Sequence, residues 1–190
     1  GAGLAALHGG PDGLGARLDE YLATPELADR PGSYDDVIHE MTEARDVRRG
    51  QLGLSNQPAH HIPFMYAFAR RPGDASALVR DALRRLFGGS ELGQGYPGDE
   101  DDGEMSAWYL WALTGLYPLQ VGAPRYVLTA PGVPRVTWHL PGGDLVVSAE
   151  PGDAGDACDA GDAGDAGGAV GAEGRVAFDA ATRIAVLRGD

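Results

Sequence analysis

The chain has 190 residues, 43% of them hydrophobic, with one cysteine and a formal net charge of -13. That size and apolar content allow one packed domain, or a domain and a half. The charge argues against a nucleic-acid backbone or an anionic membrane surface as partner, and the lone Cys158 excludes an internal disulfide and a cysteine-based zinc site.

The N-terminal part reads as helical. Leu4, Leu7, Leu14, Leu18 and Leu22 fall near helical spacing, and Gly9-Gly10-Pro11-Asp12-Gly13 breaks the run. Thr24-Pro25-Glu26 has the form of an N-cap followed by proline. Ser33 to Gly50 reads as a loop or short helix that carries His39, Glu40, Glu43 and Arg45 but few core residues. Pro58 to Arg70 predicts a buried helix, because Ile62, Phe64, Met65, Tyr66 and Phe68 surround it. Asp74 to Phe87 predicts another, capped by Asp74, striped by Leu78, Val79, Ala82, Leu83 and Leu86, and ended by Gly88-Gly89. A last helix is predicted from Ser106 to Gly115.

The texture changes near Tyr117-Pro118. Segments 126–129, 135–140 and 144–149 read as short strands, the last two joined by a Pro141-Gly142-Gly143-Asp144 hairpin signal. Residues 151–174 are almost wholly Gly, Ala and Asp, a composition too poor in apolar area to offset its ordering entropy. The period of three and the missing apolar anchors separate this segment from calcium-binding beta-rolls. Segments 175–178 and 183–187 read as two final strands of the same small sheet. The domain reading is therefore 1–118 helical, 119–150 terminal strands, 151–174 a low-complexity insertion expected to be disordered, and 175–190 final strands.

Three polar groupings carry chemistry. One is His39-Glu40 with Glu43; another is Ser55-Asn56-Gln57-Pro58-Ala59-His60-His61; the third is Gly98-Asp99-Glu100-Asp101-Asp102-Gly103-Glu104. Four consecutive carboxylates repel one another and are held by water, by a cation, or by a role that needs a shifted pKa. The aromatic run Trp108-Tyr109-Leu110-Trp111 behind them anchors the cluster at the rim of a core. Asn and Gln carbonyls with carboxylates are hard oxygen donors suited to calcium. The acid cluster is not an EF-hand, because Leu110 stands where the twelfth loop position needs Glu. His60 and His61 are adjacent and point apart, so they do not pair on zinc; a histidine on this apolar segment reads as a hydrogen-bonded core residue. Plain alternatives are a cap at Asn56 and a solvated turn at Asp99 and Asp101 that favours the following helix dipole.

The order of these segments resembles glycoside hydrolase family 92, calcium-dependent exo-acting alpha-mannosidases. Ser55 to Pro63 is similar to the family's Asn-Glu/Gln-Pro-x-His-His segment, and Gly98 to Pro118 to its longest motif. The position of Glu104 is often Gln in the family, and the Gly/Ala/Asp tail has no counterpart. The resemblance implies a mainly α fold: late helices of an (alpha/alpha)6 barrel followed by a short antiparallel β segment. It implies an inverting mechanism with Asp101 as general base and Asp99 as its partner or alternate. It further implies calcium (Ca2+) held by Glu43, Asn56 and Gln57, and substrate contact through His39 and Glu40. The substrate class is a mannose-containing glycan, with alpha-1,2 linkage preferred through the His39-Glu40 pair. The family's general acid lies upstream of the matching segment, and the chain starts at Gly1 in mid-pattern. The expectation is a fragment, inactive alone, whose missing N-terminal part completes an enzyme that is secreted, periplasmic or at the cell surface. The rival expectations are a non-catalytic carbohydrate- or calcium-binding fragment and a truncated helical remnant.

Overall fold

A computed structural model describes residues 1–88, 95–140, 143–148, 169–171, 176–179 and 184–187. Glycines at φ +80° and +116°, Gly9 and Gly10, separate α1 (Ala2–Leu7) from α2 (Pro11–Ala23), as the Gly-Pro break predicts. Pro11 starts α2 where its missing N–H costs nothing, and Leu14 and Leu18, one turn apart, are buried. Thr24 opens no helix. It closes α2: its hydroxyl donates to the Glu20 carbonyl at 2.7 Å, and Pro25 biases it to the extended conformation it adopts.

α3 (His39–Val47) is a regular helix with a core face. Glu43, Ala44 and Val47 are buried, which the polar look of the segment conceals. The predicted helix over 58–70 is instead two short 3-10 helices, Gln57–Ala59 and Ile62–Ala67. Pro58 and Pro63 each remove an N–H, and with two prolines five residues apart no continuous α ladder forms. The burial expected there is found, with Phe64 and Ala67 at 0% exposure.

α4 (Pro72–Leu86) follows Arg71 at the N-cap position, with Pro72 in the first turn. Asp74 sits inside that turn and accepts from the Arg71 side chain rather than capping the helix itself. Gly88 adopts φ +80°, and Gly89 lies outside the described residues. α5 (Glu104–Thr114) runs between Gly103 and Gly115, both left-handed. It is apolar all round because it packs on two sides. Trp108 and Ala112 face the main core, where Trp108 stacks on Phe87 (5.4 Å) and meets Phe64 edge-on (6.3 Å). Trp111 faces a second cluster formed by Leu116, Leu128, Leu145 and Val147, and stacks on Trp138 at 5.2 Å.

The strands do not form a single sheet. β1 (Leu116–Tyr117), β2 (Arg125–Leu128), β6 (Val176–Asp179) and β7 (Ile184–Leu187) make an antiparallel sheet in the order β1-β2-β7-β6. β3 (Arg135–Leu140), β4 (Gly143–Ser148) and β5 (Ala169–Gly171) make another. β5 falls within the Gly/Ala/Asp segment; its backbone pairs Val170 with Val147, a bond that asks nothing of side-chain composition. The turn 141–142, residue 149 and the rest of the low-complexity segment, 151–168 and 172–174, lie outside the described residues.

Candidate active site

Two loops meet in register at the front of α5. The first is 53–60, between α3 and the 3-10 helices; the second is the acid loop 98–104. At Gly98 a side chain's Cβ would come within 2.8 Å of Ser55 Cβ, so the strands of the two loops touch there. Two residues further on the first loop and three on the second, the Gln57 side-chain amide donates to Asp101 Oδ2. Another three residues on, His60 Nδ1 lies 3.2 Å from Glu104 Oε1. The spacing follows from the local backbone. Residues three apart stack on one side of a 3-10 turn, and Glu104 N donates to the Asp101 carbonyl across the matching turn.

The four acids of the cluster divide by role. Glu100 is the helix cap: its Oε2 accepts from Gly103 N at 2.7 Å and its Oε1 from Ser106 N at 3.1 Å. The Ser106 side chain first, then these Ser106 and Gly103 amides, hold its carboxyl below the usual carboxylate range. Asp99, Asp101 and Asp102 remain exposed. Asp101 and Asp102 both take left-handed φ, +56° and +53°, and Gly103 follows at +101°. Three such residues in succession turn the chain sharply, and this backbone is held at a cost.

Glu43 is 3% exposed and braces the facing loop: its oxygens accept from Leu54 N at 2.8 Å and Ser55 N at 2.7 Å. Burial raises its pKa, and the bonds from Ser55 and Leu54 and the nearby His39 oppose that rise. His39 is exposed, with Nδ1 3.1 Å from Ser55 Oγ and Nε2 3.6 Å from Glu40 Oε1. Glu40 Oε2 is buried with no hydrogen-bond partner, the one carboxylate oxygen in that state among the described residues. Asn56 and Gln57 are half-buried.

His60 is buried, at 3% exposure. Its Nε2 lies 2.9 Å from the Leu54 carbonyl, and its own carbonyl accepts from Trp108 Nε1 at 3.1 Å. Both ring nitrogens are engaged, and the Leu54 carbonyl, which can only accept, favours the tautomer with its proton on Nε2. Burial lowers the ring pKa below the ordinary histidine value, against the opposing pull of the Leu54 carbonyl and Glu104. Tyr117 lies nearby; burial, then the Glu104 charge, pushes its hydroxyl up to about 12.

The seven residues expected at the site thus fall on the two facing loops and on α3. Gln57 and Asp101 are in contact; His39 and Glu40 pair with each other, and His39 reaches Ser55. Among the described residues, no hydrogen bond or ion pair joins Asp99 to another site residue. Glu43 lies behind the loop, spent on two amides. Ser55 and Glu100 were missed as bracing residues. A serine beside Asn56 gives no signal of its own, whereas Glu100, placed before Gly103, carries the faint signature of a helix-entry acid.

The chain matches the glycosyl hydrolase family 92 catalytic domain over residues 1–158. It belongs to that family. Among solved structures it is similar to a family 92 inverting mannosidase of Bacteroides thetaiotaomicron, at 35% identity and TM-score 0.56, over 77% of this chain and 20% of that one. A family 92 alpha-mannosidase of the same organism, in complex with mannoimidazole, is 25% identical with TM-score 0.56, over 70% of this chain and 16% of that one. No curated protein matches the chain. The chain therefore spans a fifth or less of the length of these solved relatives.

Proposed function

We propose that this chain carries the general-base loop of a calcium-dependent, inverting exo-alpha-mannosidase that acts on alpha-1,2-linked mannose of glycans. The observation that supports this reading best is the Gln57 amide donating to Asp101, which joins the two family-like segments at one place. In an inverting reaction one carboxylate draws a proton from the attacking water while an acid on the other face protonates the leaving oxygen, the two about 6.5–9.5 Å apart. Asp101 is exposed and held from behind by Gln57, which orients one oxygen and leaves the other to water. Asp99 is its alternate. The general acid belongs to residues outside this chain, so the 190 residues alone release no mannose.

Calcium takes six to eight oxygen ligands. The donor chemistry fits in part: Asn56 and Gln57 offer amide carbonyls, and the buried, unpartnered Glu40 Oε2 is an oxygen that a cation would satisfy. Glu43 already serves two backbone amides and retains one lone pair on each oxygen. Among the described residues no three His, Cys, Asp or Glu side chains come together as a metal-binding group. Water, backbone carbonyls and substrate hydroxyls would help complete the shell. When bound, the ion would grip the sugar hydroxyls at C2 and C3 and favour a flattened ring. His39 and Glu40, presented at the start of α3, would read the leaving sugar and set the alpha-1,2 preference.

The test is mannose release by the full-length enzyme from alpha-1,2-mannobiose with and without chelator. Loss of turnover on chelation with recovery on adding calcium supports the reading; turnover indifferent to chelator removes the metal. A second reading, a carbohydrate- or calcium-binding chain without turnover, is favoured by the small share of the solved relatives that it spans. Calorimetric titration of the 190-residue chain with calcium and mannose separates the two: binding with hydrolysis absent from every longer form supports the module.

A further inference from the structure

The contacts at the front of α5 form a ladder with rungs of unlike character. Gln57 to Asp101 is the outer rung, in an exposed setting; His60 to Glu104 is the inner one, with His60 almost fully buried. Both rungs join residues 44 apart in sequence, so the two segments run alongside each other without slippage. Around the outer rung, Gly98 abuts Ser55 and Glu100 caps the turn that carries Asp101, but the rung's own side chains are held by little else. Asp101 sits on left-handed backbone with no further side-chain partner among the described residues, and Asn56 caps its 3-10 turn without a side-chain bond. The inner rung is overdetermined. His60 is fixed by the Leu54 carbonyl on one side, by Glu104 on the other, and by the Trp108 indole on its backbone carbonyl. Its ring also packs 5.9 Å from that indole.

We propose that His60 is a positioning residue that, through Glu104, sets the register in which Gln57 meets Asp101. This rests on the reading of Asp101 as the base, but the positioning stands or falls separately. His60, at 3% exposure, offers almost no surface to a substrate. It acts by fixing the first turn of α5, which Glu104 begins and from which Asp101 lies one turn upstream. It fixes at the same time the carbonyl of Leu54, at the entrance of the loop that carries Gln57. Trp108 anchors this assembly to the main core, so the register of an exposed carboxylate is set by a buried ring. Glu104 brings a carboxylate to a ring nitrogen; an amide there would serve equally, because its N–H donates to a neutral imidazole.

The experiment follows the Gln57 side-chain amide by nuclear magnetic resonance in the 190-residue chain, with no catalysis required. Its two protons are expected shifted and slowed in exchange in the parent protein. Glu104→Ala removes the rung from its half-exposed end without opening a cavity, and the Gln57 signals should then move to the positions of a free amide. Glu104→Gln should restore them. His60→Ala should repeat the loss; if that variant does not fold, Glu104→Ala alone decides. Gln57 signals unchanged in folded Glu104→Ala overturn the proposal, as does failure of Glu104→Gln to restore them. In the full-length enzyme Glu104→Ala should lower kcat about tenfold to a hundredfold with little change in KM, the size expected of a misplaced base. A lost Gln57 signature with unchanged kcat keeps the positioning and removes Asp101 from the reaction, so the two failures are told apart.

Discussion

Two regions of the molecule concentrate charge of one sign, and they treat it differently. At the ends of α3 and α4, Arg49, Arg84 and Arg85 all converge on Asp81, and Arg85 also donates to the Val47 carbonyl. These cations lie where helix C-termini present unpaired carbonyls, which is where positive charge is stabilised. Their charge is consumed by the fold. Burial, then repulsion from Arg85 and Arg84, lowers the Arg49 pKa to about 10. At the front of α5 only Glu100 is used as a cap, and Asp99, Asp101 and Asp102 face solvent with no ion pair among the described residues. A cluster spent on structure has pairs and helix ends to explain it. A cluster left with unpaired, exposed charge on strained backbone is available for chemistry.

The strongest way to break that contrast is Asp101→Asn in the full-length enzyme. Turnover should fall about a thousandfold, within the range for removing a general base, while the thermal transition stays in place. Near-normal turnover would return the acid loop to the structural class. Next in size is Glu43→Ala, which leaves the Leu54 and Ser55 amides buried and unpaired and should cost about 2–5 kcal/mol in urea unfolding. A loss under ~0.5 kcal/mol would mean that the loop is held elsewhere. Asp81→Asn removes the common partner of three arginines and should cost about 1–3 kcal/mol, with partial recovery as salt screens the repulsion.

A smaller effect follows from His60. Burial holds its folded pKa below the ordinary histidine value of about 6.5, so the unfolded chain binds more protons than the folded one as pH falls. The contribution is fully present above pH ~6.5 and is lost as pH falls toward the folded pKa. Unfolding free energy should therefore rise from pH 5 to 7 in the parent and rise less in His60→Gln; identical slopes would exclude the ring as the source. The smallest is Asp102→Gly. Glycine adopts the φ of +53° without strain, and the variant should gain or lose no more than about 1 kcal/mol in thermal unfolding. A large loss would show that the Asp102 side chain holds the loop.

Much of the helical part was legible because its signals are local. Leucine spacing, the Gly-Pro break and the glycine pair around α5 act within a few residues, and they mark α1, α2, α4 and α5 in the sequence. The acid loop and the Asn-Gln-Pro segment were visible as unusual strings, and their family is readable from them. What local pattern misread was 58–70, where apolar content spoke for an α-helix and two prolines required 3-10 turns. In Ser33 to Gly50, read as a loop or short helix, the short helix is found, but its core face was hidden because the buried residues include a carboxylate that no hydropathy scale places inside.

The sequence by itself determined which segments coil, where glycines let them turn, and that acids precede an aromatic helix, since each depends on neighbours along the chain. Only the tertiary structure decided that Gln57 meets Asp101, that Glu43 braces Leu54 and Ser55, and that the strands divide into two sheets. Those contacts join residues from about 11 to about 60 positions apart, and nothing in a one-dimensional pattern fixes which of many compatible partners packing brings together.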